Sequence, residues 1–82
     1  MALIKVTSLE SFKKMLVFIS PSTHVAIVDR EKNEITLTPM VTSRHRHYIK
    51  YQYEDENEFE EIKNYLMKRG YVIVYGGVDF KE

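Results

Sequence analysis

A chain of 82 residues is long enough for one domain with a modest core and too short for two. Hydrophobic residues at 44% and charged residues at 29% separate it from disordered sequences, and the lack of cysteine excludes disulfides, a thiolate nucleophile and cysteine-bound zinc. A net charge of zero argues against strong indiscriminate adhesion to nucleic acid, yet the charge is unevenly spread. Residues 1–53 hold eight Lys or Arg against four Asp or Glu, and residues 54–82 hold four against eight, an asymmetry that can mark a basic binding surface.

The longest apolar run, Met15 to Ile19, is five residues, where a bilayer span needs about 20. The first residues, Met-Ala-Leu-Ile-Lys-Val, lack the basic and apolar regions of a signal peptide. The expectation is a cytoplasmic protein with no membrane association.

Ala2 to Val6 reads as a short strand with Leu3 and Ile4 on opposite faces. Thr7-Ser8-Leu9-Glu10 then matches a capping box with Thr7 as the cap, and Leu9, Phe12, Leu16 and Ile19 recur at helical spacing. A helix from about Ser8 to Ile19 is predicted, ended by Ser20-Pro21 because the residue before proline is pushed out of the α region. Thr23 to Asp29 is apolar on both faces and reads as an interior strand. Asn33, which tolerates left-handed backbone, closes a hairpin to a strand from Glu34. Pro39 cannot donate to a ladder, so that strand should end near Thr38 or hold its proline at an unpaired position.

A third meander strand is predicted over about Arg44 to Tyr53. It places Arg44, Arg46, Tyr48, Lys50 and Gln52 on one face and His45, His47, Ile49, Tyr51 and Tyr53 on the other, inward one. The helix that follows has Asp55 as N-cap with Glu58 three residues on, acids in its first turns, Lys68 and Arg69 in its last, and Gly70 just beyond. Its buried stripe is Phe59, Ile62, Leu66 and either Tyr65 or the Lys63 stem. Tyr71 to Tyr75 is apolar on both sides, which predicts a covered or central strand, before Gly76-Gly77 turns the chain into a short tail.

The predicted order is β-α-β-β-β-α-β: a single compact α+β domain over residues 1–82, with two helices on one face of a mixed four- or five-stranded sheet. Two parallel crossovers account for the helices and leave the opposite sheet face partly open.

That open face carries the main functional expectation. Arg44, Arg46 and Lys50 can pair with phosphates while Tyr48 stacks on an unpaired base, so the face suits RNA or single-stranded DNA, with Thr36 and Thr38 widening it. The plainer account is a solvated sheet face in which such residues stabilise cross-strand pairs. The alternative from another class is a protein-interaction or inhibitor module, of plasmid or viral type, acting through Glu58 and Glu61 of the acidic helix or through a sheet edge; a homodimer also fits so small a core. His45 and His47, two residues apart, have a spacing that can chelate a metal if His24 or a carboxylate supplies a third ligand, but the neighbouring arginines oppose a cation. No nucleophile elbow, phosphate loop or cofactor motif is present, so a non-enzymatic binding module without cofactor is expected.

Overall fold

The computed structural model describes residues 2–40 and 47–76. It contains β1 (Ala2–Val6), α1 (Leu9–Met15), β2 (His24–Asp29), β3 (Glu34–Pro39), β4 (His47–Gln52), α2 (Glu56–Lys68) and β5 (Ile73–Tyr75). The fold is α+β in the predicted order, and the five strands form one mixed sheet ordered β1-β4-β3-β2-β5.

The two antiparallel pairings follow from short connections. Between β2 and β3, the Asp29 side chain accepts from the amides of Glu31 at 3.0 Å and Lys32 at 3.2 Å, and Asn33 adopts φ 56°, where its short polar side chain is tolerated. The resulting register sets Asp29 opposite Glu34 and Val25 opposite Thr38. The outer pairings, β1 with β4 and β2 with β5, are parallel. Each helix therefore lies in a parallel crossover that passes two intervening strands. The crossovers β1-α1-β2 and β4-α2-β5 step across the sheet in the same direction, so a common hand lays both helices on the same face.

Burial agrees. Ala26 and Val28, Ile35 and Leu37, Ile49 and Tyr51 stand on one face by register and form the core with Phe12 and Leu16 from the first helical segment and Phe59, Ile62 and Leu66 from α2. Phe12 meets Tyr51 with ring centroids 5.5 Å apart, and Tyr53 meets Phe59 at 5.1 Å, both tilted as aromatic quadrupoles favour. No helix among the described residues is long and apolar enough to cross a membrane.

Several local expectations are corrected. The first helix is capped by Ser8, not Thr7: Ser8 is extended and its hydroxyl accepts from the Ser11 amide at 3.1 Å. The α-helix ends at Met15, and Leu16–Phe18 continue as one 3-10 turn, short of Ile19. The helical spacing of Leu16 does not distinguish these two turn types over a single turn. The third meander strand begins, among the described residues, at His47, and Ser43 to Arg46 lie outside them. The last strand spans only Ile73–Tyr75 and sits at the sheet edge, not in a covered position, with Val74 and Tyr75 exposed. At this edge both sides reach solvent, Val74 on the helix-free side and Tyr75 on the helix side.

The second helix follows its sequence signals closely. Asp55 accepts from the Glu58 amide at 2.9 Å. At the other end the Gly70 amide donates to Met67 and the Tyr71 amide to Leu66, both at 3.0 Å, a Schellman closure with Gly70 at φ 86°.

Two variants check the first cap. Ser8→Ala should cost about 1 kcal/mol of unfolding free energy in urea denaturation, while Thr7→Ala should change it by less than about half that.

Candidate functional site: the helix-free sheet face

With both helices on one side, no helix among the described residues covers the other side of the sheet. Alternation assigns it Leu3 and Lys5 from β1, Tyr48, Lys50 and Gln52 from β4, Glu34, Thr36 and Thr38 from β3, Val25, Ile27 and Asp29 from β2, and Val74 from β5. Lys5 pairs with Lys50, Lys50 with Thr36, Thr36 with Ile27 and Ile27 with Val74, one row crossing the whole sheet. The β1 and β4 side of this row is polar and the β2 and β5 side is apolar.

Of the four residues expected to form the site, Tyr48 and Lys50 stand on this face, half-buried. Arg44 and Arg46 lie outside the described residues. Thr36 and Thr38 share the face as expected, although Thr36 is buried between its neighbours. The Lys50 ammonium lies 2.5 Å from a Glu34 carboxylate oxygen, with both side chains largely sheltered from solvent. Opposite charges almost opposite one another across β3 and β4 stabilise the strand pair. The same contact sets Lys50's position and offsets much of its charge. A cavity of about 480 Å³ opens here, lined by Lys5, Val6, Thr7, Glu34, Lys50 and Gln52.

Lys5, Glu34 and Gln52 were not among the candidates. The alternation of β4 places Gln52 with Lys50, but the approach of Lys5 depends on a parallel pairing between strands more than forty residues apart. No local pattern encodes that neighbour.

The inward face of β4 is a stability element. Ile49, Tyr51 and Tyr53 are buried as predicted, while His47, at the strand's end, is exposed. Burial and the hydrogen bond that the Tyr51 hydroxyl donates to Glu58 keep its phenol protonated well above the ordinary tyrosine range. Arg30 sits 3.9 Å over the Phe59 ring, donates to the Tyr53 hydroxyl at 3.1 Å and pairs with Glu56.

His24 has a structural task. The Asn33 carbonyl accepts from the Tyr53 amide, which sets the phase of the ladder between β3 and β4. The β3–β4 register runs from Glu34 opposite Gln52 to Leu37 opposite Ile49 and stops short of Pro39, which has no N–H to give to a ladder. The fully buried His24 ring reaches the His47 carbonyl with Nε2 at 3.4 Å, while its Nδ1 meets the Thr23 hydroxyl at 2.8 Å. A carbonyl can only accept, so Nε2 carries a proton. The ring thus ties β2 to the start of β4 across β3. The sequence offers His24 only as a conditional third ligand to His45 and His47, and what joins it to His47 here is the contact of its ring with the backbone carbonyl. Among the described residues no group of three or more His, Asp or Glu is placed to hold a metal ion. His45 lies outside those residues.

The acidic helix shows mostly internal partnerships. Glu58 accepts from Tyr51 and from the Glu54 amide, Glu61 pairs with Lys13 at 2.7 Å, and Glu60 pairs with Lys63 at 3.0 Å.

Comparison with protein-family models, with curated proteins and with solved structures finds no match, so function rests on the geometry of this face.

Alkaline titration tests the inward face. A phenol whose proton is held more tightly in the folded chain contributes stability below the unfolded value of about 10, and that contribution fades as pH rises beyond it. The loss of stability between neutral pH and pH 11 should be smaller in Tyr51→Phe than in the parent chain, as measured by urea unfolding at each pH. Equal losses would show that the Tyr51 phenol is not protected.

Proposed function

We propose that the protein is a small non-enzymatic binding module that holds nucleic acid, as RNA or single-stranded DNA, against its helix-free sheet face. The observation that supports this most is the convergence of Tyr48, Lys50 and Lys5, with Gln52 and Thr36, on a face that no helix among the described residues covers. A tyrosine ring provides a stacking surface for any base, lysines attract phosphate, and Gln52 adds amide donors and an acceptor for a base edge. Arg44 and Arg46 immediately precede β4 in sequence and would extend the cationic track.

The Glu34 carboxylate competes with phosphate for Lys50, and this gives the reading a distinctive signature. A strand that docks here must share or displace that carboxylate. The alternative module working through Glu58 and Glu61 has less support, because both carboxylates already serve intramolecular partners.

Fluorescence anisotropy with short single-stranded RNA and DNA at low salt tests the proposal. Lys50→Gln should weaken binding and reduce the slope of log affinity against log salt by about 1, as expected for one lost phosphate contact. Glu34→Gln should instead tighten binding by removing the carboxylate that competes with phosphate for Lys50. Tyr48→Ala should weaken it about 5- to 100-fold through lost stacking. Absence of binding at low salt, or equal affinity of all four proteins, would overturn the proposal.

A further inference from the structure

We propose that a second copy of this chain pairs with β5 in antiparallel register about a twofold axis at Val74, joining two five-stranded sheets into one of ten strands. Backbone phase carries the inference. The Ala26 amide donates to the Val72 carbonyl at 2.9 Å and the Gly76 amide donates to the Val28 carbonyl at 2.8 Å, so residues 72, 74 and 76 direct their backbone groups towards β2. By alternation, Ile73 and Tyr75 direct theirs outward, and among the described residues nothing accepts from or donates to those four groups.

An axis at Val74 satisfies all four at once. Ile73 of each copy then faces Tyr75 of the other in a pair that exchanges two hydrogen bonds, and the two Val74 residues meet between these pairs at the closer, non-hydrogen-bonded spacing. A shift of one residue either way would leave some of these groups unmatched.

Side chains agree with this register. Ile73 and Tyr75 stand on the helix side, where the exposed Tyr75 ring of one copy would cover the half-buried Ile73 of the other. This is an aromatic and β-branched pair of the kind that stabilises adjacent strands. Val74, 47% exposed, would be shielded by its own counterpart on the bare face.

Charge identifies the occupant as a second copy. Residues 71–77 carry no charge, so like strands meet there without repulsion, and an acidic or basic partner gains nothing. The opposite edge differs. β1 holds Lys5 within the strand, and self-pairing there would bring two ammonium groups together. Because this contact is made of backbone bonds and apolar side chains, it should persist in salt that weakens nucleic-acid binding.

A cysteine-free chain permits a sharp test. Sedimentation equilibrium of the parent protein should give a dimer that is insensitive to salt. Val74→Lys, which sets two cations face to face, and Tyr75→Pro, which removes an outward donor, should both give folded monomers by circular dichroism. Under mild oxidation, Val74→Cys should crosslink to a covalent dimer, because the non-hydrogen-bonded pair brings the two Cα atoms to about 4.5 Å, within disulfide range. Tyr75→Cys should crosslink far less. A monomeric parent protein, a dimer unaffected by Val74→Lys and Tyr75→Pro, or equal crosslinking at both cysteine positions would overturn the proposal.

Discussion

Two parallel crossovers that step across the sheet in the same direction govern the rest of this molecule. Each begins on a strand at or beside one edge, passes two strands and returns three positions further on. Since such connections share one hand, both helices settle on the same face. One face of the sheet then holds the hydrophobic core, and no helix among the described residues lies on the other. The hairpins between β2, β3 and β4 fill the middle, so the two parallel additions, β1 and β5, become the edges. A bare face and two unlike edges are thus consequences of topology before any side chain is considered.

Side chains then give the two surfaces different characters. On the bare face, polar residues gather towards β1 and β4 and valine and isoleucine towards β2 and β5. The half-buried ion pair of Lys50 with Glu34 lies at the polar end. Its cost of desolvation is repaid only when both partners stay paired, which makes it a natural point for a competing anion to act. At the other end, β5 offers backbone groups and apolar side chains without charge. The proposed ligand and the proposed second copy therefore use separate chemistry on one continuous sheet.

The elements themselves were largely legible because their signals are local. Asp55, Glu58 and Gly70 set the limits of α2 through cap and turn chemistry, and the alternation of Ile49, Tyr51 and Tyr53 gave the inward face of β4. What local pattern could not supply was strand order. Tyr71 to Tyr75, apolar on both sides, reads as a covered strand, and only the pairing order places it at an edge. The first cap also departs from the local pattern, since Ser8 and not Thr7 takes the extended capping conformation. The meeting of Lys5 with Lys50 and the reach of His24 to the His47 carbonyl belong to the same class, contacts created by pairings distant in sequence.

The most direct test of the central claim, that the helix-free face is the binding surface, is an amide chemical-shift titration of isotopically labelled protein with a short single-stranded oligonucleotide. Shifts concentrated at Lys5, Thr36, Tyr48, Lys50 and Gln52, with α2 undisturbed, are the predicted result. Shifts confined to α2, or none at all at millimolar oligonucleotide, would contradict it.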